Sequence, residues 1–144
     1  MLVSDVLRAK QAPVECIRTD ESIRCATHRL AAWSVEALVV VTPSGRVVGL
    51  ISEHDVISAL SRPGTSFETL GVVDAMTGPV TCCTPDDSLT DVLGLIASGQ
   101  QRHVPVVDDG RVVGLLGVAN VMQAGLDEVA RETSVLRGAY LAIR

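Results

Sequence analysis

The chain has 144 residues, 47% hydrophobic, 20% charged and 2% aromatic, with a formal net charge of -5. This composition excludes a disordered polymer and calls for a core of Val, Leu, Ile and Ala, while the acidic balance argues against nucleic-acid binding, which needs clustered Lys and Arg. No apolar run approaches the roughly 18 residues of a membrane span, and Met1-Leu2-Val3-Ser4-Asp5 lacks the basic and apolar regions of a signal peptide, so a cytoplasmic protein without a membrane partner is expected.

In chain order, the β-branched run Val14–Ile17 predicts a short strand. Asp20-Glu21-Ser22 then opens a helix, where acidic and hydroxyl groups complement free N–H groups. Ile23, Ala26 and Leu30 recur at helical spacing. Two further strands, Leu38–Val41 and Val47–Ile51, flank the hairpin chemistry of Pro43-Ser44-Gly45. A second helix carries Val56, Ile57 and Leu60, and Ser61–Ser66 reads as a linker.

The same order then returns. Val14-Glu-Cys-Ile-Arg-Thr-Asp-Glu-Ser-Ile23 has its counterpart in Val80-Thr-Cys-Cys-Thr-Pro-Asp-Asp-Ser-Leu89, and Gly45-Arg-Val-Val-Gly-Leu50 recurs unchanged as Gly110-Arg-Val-Val-Gly-Leu115. The offset is 66 residues in the first block and 65 in the second, because Thr42-Pro43-Ser44 shortens to Asp108-Asp109. The second copy predicts a strand at Val80–Cys83 and a helix through Leu89, Val92 and Ile96. Strands at Val104–Val107 and Val112–Leu116 follow, then a helix through Val121 and Met122. The fold class is therefore α+β: two β-α-β-β-α repeats (1–62 and 72–126) around a linker (63–71), with a C-terminal helix or tail (127–144). Either repeat alone buries too little surface, so the two should pack with pseudo-twofold symmetry and leave a cleft on the axis. In the tail, Val129, Thr133, Leu136 and Tyr140 share one helical face, although Gly138 weakens the last turn. That helix either docks a partner or second copy, or covers the module's own core. Cys16, Cys25, Cys82 and Cys83 form no Cys-x-x-Cys pair, and Cys16 and Cys82 read as small hydrophobes.

Ser52-Glu53-His54-Asp55 stand where a strand hands over to a helix. A carboxylate there can accept hydrogen bonds from both hydroxyls of a sugar diol. Ser52 and the N–H groups of Glu53 and His54 favour a phosphate. An ordinary capping box, with Ser52 as cap and Asp55 at the third helical position, accounts for the same residues, and the two roles are compatible.

This duplicated pattern resembles the CBS domain, named for cystathionine β-synthase, in its tandem or Bateman form. Arg18-Thr19-Asp20-Glu21-Ser22-Ile23, Val35–Val41, Gly49–Val56 and Arg102–Asp108 carry the resemblance across residues 3–126. It implies a non-catalytic regulatory module that binds an adenosine nucleotide (AMP, ADP or ATP) or adenosyl compound, with no metal required. It also implies a homodimer that signals to an unidentified effector protein. Ser52 and Asp55 would hold the ribose, and His54 would reach phosphate. Adenine would lie between Pro13–Glu15 (Pro13, Val14, Glu15) and Val35-Glu36-Ala37. Arg102 and His103 would clamp phosphates from across the cleft, with Lys10 a further candidate. The second repeat departs from the family pattern, since Gly117-Val118-Ala119-Asn120 lacks the hydroxyl and the carboxylate. Its site is expected to be empty, weak or selective for another ligand. The alternative is a ligand-free dimerisation module with a vestigial cleft.

A catalytic reading finds little support. His54 and Asp55 project roughly 100° apart on a helix, which prevents an orienting bond between them. His28, His54 and His103 lack metal-ligand spacing, and neither a Walker loop nor Gly-x-Gly-x-x-Gly is present.

Overall fold

A computed structural model describes residues 1–10 and 14–143, with side chains at 137 and 139–143 outside that description. Eleven elements follow in order: α1 (Val3–Lys10), β1 (Cys16–Arg18), α2 (Ile23–Trp33), β2 (Ala37–Val41), β3 (Val47–Ser52), α3 (Glu53–Leu60), α4 (Val72–Ala75), α5 (Leu89–Ala97), β4 (His103–Asp108), β5 (Arg111–Gly117) and α6 (Val118–Ile143). β1 runs parallel to β2, which pairs antiparallel with β3; β4 and β5 form a separate antiparallel hairpin. Asp109 and Gly110 both have positive φ (51° and 76°), the geometry a two-residue hairpin turn needs.

Each sheet buries its helices on one face. Ile17, Leu38, Val40 and Ile51 pack with Ile23, Ala26 and Leu30 of α2 and Val56 of α3 in the first core. Cys83, Leu89, Val92, Val104, Val106, Leu116 and Val121 form the second. A third cluster of Val39, Val41 and Leu50, flanked by Val14, Cys16, Val80, Val112 and Leu115, joins the two repeats.

The structure corrects four expectations. First, α1 and α4 are additional helices, and they are exchanged between repeats: Val3 and Val6 complete the second core, whereas Val72 and Ala75 complete the first. Second, the first strand begins at Cys16 rather than Val14. Third, Val80–Cys83 forms no strand and leaves a single parallel bridge, Cys83 to Val106. In the first repeat Val39 N–H donates to Glu15 O at 3.0 Å; Pro105 stands at the equivalent place and has no N–H to give. The Gln101 side chain bonds that backbone instead, accepting from Thr81 N–H at 2.6 Å and donating to Thr81 O at 3.0 Å. Fourth, the second helix of the second repeat and the tail helix are one continuous α6. α3 ends at Ser61 and runs into Arg62-Pro63-Gly64, a helix-stopping sequence. α6 meets no such stop, and the Gln123 amide donates to Asp127 across Gly125 at 3.0 Å.

Candidate functional site

The capping box is present at the start of α3. Ser52 has an extended backbone, its Oγ accepts from Asp55 N–H at 3.3 Å, and its N–H donates to Asp55 Oδ2 at 2.8 Å. The Ser52 hydroxyl also donates to Oδ2 at 3.0 Å. Thr77, from the far side of the linker, donates its hydroxyl to Asp55 Oδ1 at 2.9 Å. The half-buried carboxylate is therefore held at both oxygens in one orientation. Oδ2 already accepts two hydrogen bonds, whereas Oδ1 accepts one and retains a lone pair for a further donor.

Thr77 reaches this position because the chain crosses β3 there. Thr77 and Leu50 exchange backbone hydrogen bonds at 2.9 Å in both directions. A Cβ on Gly49 would lie 2.6 Å from Thr77 O, so only glycine admits the crossing. Gly114, its duplicate in β5, likewise faces Leu7 of α1. The repeated Gly-Arg-Val-Val-Gly-Leu thus marks two sheet hairpins: β3 is crossed by the chain at Thr77, and β5 is met by Leu7 and Lys10 of α1.

Two hollows flank this junction. The first, of about 370 Å³, is lined by Glu36, Ala37, Leu50, Ser52, Glu53, His54 and Asp55 of the first repeat, by Thr77 and Val80, and by Gln101, Arg102 and His103 of the second repeat. The second, of about 290 Å³, is lined by Lys10, Val14, Glu15, Val35, Gly117 and Asn120, and shares Glu36, Ala37 and His103 with the first.

The structure therefore brings Ser52, His54, Asp55, Arg102, His103, Glu36 and Ala37 together and moves three expected residues elsewhere. Glu15, Val35 and Lys10 line the second hollow, not the one beside Asp55. The crossing explains this: the segment before β1 belongs to the β4–β5 side, and the segment before Cys83 delivers Thr77 and Val80 to the β2–β3 side. Pro13 lies outside the described residues. Thr77, Val80, Leu50 and Gln101 were not singled out from sequence. For Val80 the signal was the offset of 66 residues, which maps Val14 onto it.

In the second hollow Gly117 N–H donates to Asn120 Oδ1 at 3.1 Å, a cap bond without the serine hydroxyl. A Cβ on Gly117 would lie 3.1 Å from the His103 imidazole, which occupies the space a serine would need. Lys10 Nζ donates to Leu115 O at 2.5 Å, and burial lowers the lysine pKa. Between the hollows, His103 Nε2 stands 3.2 Å from Glu36 Oε2. Cys83 is buried in the second core, where burial pushes its thiol up to about 12. Among the described residues no group of His, Cys, Asp and Glu is placed to hold a metal ion, and no helix is long and apolar enough to cross a membrane.

Two hairpin repeats with exchanged helices, joined along a seam with a hollow on either side, define a tandem α+β module of the Bateman type. The CBS domain model matches residues 3–62 and 72–127, and the chain belongs to the CBS domain family. The CBS-domain containing protein ATU1752 from Agrobacterium tumefaciens is 31% identical, with a TM-score of 0.77 over 86% of this chain and 98% of that one. The CBS domain pair of protein MJ0100, solved in complex with 5-methylthioadenosine and S-adenosyl-L-methionine, is 26% identical with a TM-score of 0.74, covering 89% of this chain and 98% of its own. CBSX2, solved in complex with AMP, shares the fold at 23% identity and a TM-score of 0.73, over 88% and 97% of the two chains.

Proposed function

We propose that this protein is a non-catalytic regulatory module that binds an adenosine compound in the hollow beside Asp55 and passes the bound state to an effector protein. One observation carries the reading: Asp55 is pinned by Ser52 of its own repeat and by Thr77 from beyond the linker, at the wall of a hollow to which both repeats contribute. A carboxylate held in this way is preorganised to accept one ribose hydroxyl on Oδ1, and rotation of the Ser52 hydroxyl off Oδ2 opens the place for the second. Val80, Leu50 and Ala37 supply apolar walls for a base, and Arg102 stands opposite as a donor for the 5′ end. The ligands named for MJ0100 and CBSX2 are adenosine compounds, which supports the same class here. Because the hollow is built from both repeats, a ligand there favours one packing of the repeats over others, and that differential affinity is the signal.

The test is a thermal-shift series with AMP, ADP, ATP, S-adenosylmethionine and NAD. A single-site ligand at a hundredfold excess over its dissociation constant adds about 2.7 kcal/mol. A melting curve that none of them moves contradicts the proposal.

A dimerisation role has its own support in α6. Beyond Glu128 the described side chains are exposed, and Met122, Leu126, Val129 and Leu136 are 59%, 64%, 60% and 70% exposed. They follow one another at intervals of four, three and seven residues, the seam spacing of two helices packed side by side. We read α6 as the contact between two copies of the chain. Light scattering on the Leu126→Glu variant tests it: conversion of a dimer to a monomer is expected, and a monomeric parent protein contradicts it.

A further inference from the structure

The charges around Asp55 point to a narrower ligand class than adenosine compounds at large. The first hollow is lined by three carboxylates (Glu36, Glu53 and Asp55), by one guanidinium (Arg102), and by the imidazoles of His54 and His103. Lysine is absent from this lining. Three carboxylates against one permanent cation make the hollow acidic at neutral pH. Glu53 also occupies the first turn of α3, where it complements the positive helix end that would otherwise attract a phosphate. Glu36 adds a charge at the rim of the hollow. It is 83% exposed, its carboxylate stands 3.2 Å from His103 Nε2, and it lines both hollows. With a ribose on Asp55 and its 5′ end toward Arg102, as proposed above, the 5′ substituent would lie among Glu53, Arg102 and the imidazoles, with Glu36 beside His103.

Resting on the reading that Asp55 holds a ribose, we propose that Glu36 is a specificity-determining residue. It turns this hollow away from polyphosphates and toward adenosine compounds whose 5′ substituent is uncharged or cationic. Arg102 balances one negative charge at most, so a triphosphate meets net like charge, which disfavours it strongly. A thioether or sulfonium at the 5′ position meets no such repulsion, and a sulfonium is attracted by the Glu36 carboxylate.

Calorimetric titration of the full chain with methylthioadenosine, S-adenosylmethionine, AMP and ATP tests this, repeated with Glu36→Gln. The first two are expected to bind at least about tenfold more tightly than ATP, with the gap narrowing as salt screens the repulsion. Glu36→Gln should move the ATP-to-methylthioadenosine affinity ratio about fivefold toward ATP. Glu36 is exposed, so the variant should retain the parent melting temperature. ATP binding as tightly as methylthioadenosine, or an affinity ratio that the substitution leaves unmoved, overturns this proposal and leaves the ribose site standing. Binding by none of the four overturns the ribose site and this proposal together.

Discussion

Gly49 and Gly114 occupy the same place in an identical six-residue motif, yet substitution by alanine should affect them differently. At Gly49 the new Cβ would lie 2.6 Å from Thr77 O and 3.4 Å from Thr77 C, the two atoms of the backbone carbonyl that accepts from Leu50 N–H. Relief requires the whole crossing segment to lift. At Gly114 the nearest atoms are the methyl groups of Leu7, the free end of a half-buried side chain that can change rotamer. Overpacking against rigid neighbours costs about 1–3 kcal/mol, offset by about 0.5 kcal/mol from the stiffer unfolded chain. Gly49→Ala should therefore destabilise by about 1–2 kcal/mol, and Gly114→Ala by less than about 0.5 kcal/mol. For a chain of this size the first corresponds to about 3–7 °C in melting temperature and the second to less than about 2 °C. Calorimetric melts and urea unfolding of the two variants measure the difference directly. Equal losses, or a larger loss at Gly114, would refute the claim that a backbone crossing over β3 fixes Thr77.

Thr77→Val removes the hydroxyl on Asp55 Oδ1 while keeping the side-chain shape; ligand affinity should fall about fivefold, and titration calorimetry checks it. Gln101→Ala frees the Thr81 N–H and C=O and should destabilise by about 1–2 kcal/mol, with faster amide exchange at Thr81. Burial works to raise the Glu21 pKa, but the Arg18 N–H and the Arg29 guanidinium outweigh it and hold the carboxyl below its ordinary 4.5. A depressed folded-state pKa contributes stability above the unfolded value and loses it as pH falls through the folded one. Glu21→Gln should therefore destabilise by about 1 kcal/mol at pH 7, and the difference from the parent should shrink as melts are taken from about pH 4.5 downward.

The duplication was the most legible feature of the sequence. Two copies of Gly-Arg-Val-Val-Gly-Leu, with turn residues before each, located both hairpins to within a residue or two. Ser52 and Asp55 were also readable, because a capping box is a local device whose partners lie three residues apart. The features that escaped depend on distant partners. α1 finds its core in Val104, Leu116 and Val121, about a hundred residues away, and α4 finds its own in the preceding repeat. The missing strand before α5 reflects one N–H that Pro105 cannot supply, a loss visible only once Val39 is seen bonding Glu15. The lining of the hollow beside Asp55 was illegible for the same reason. Placing Glu15 and Val35 with Asp55 assumes that a site is built within one repeat, whereas the exchanged segments put Thr77 and Val80 there instead. Cys83, at the heart of the second core, shows how a thiol can serve only as a small hydrophobe.

The central claim concerns a difference between two duplicated positions, and paired titrations of Asp55→Ala and Asn120→Ala with methylthioadenosine measure it most directly. Loss of all detectable binding in the first variant, with the second within about twofold of the parent, is the expected result. Binding that survives at Asp55→Ala, or that depends on Asn120 instead, would show that the sugar is held somewhere other than the start of α3.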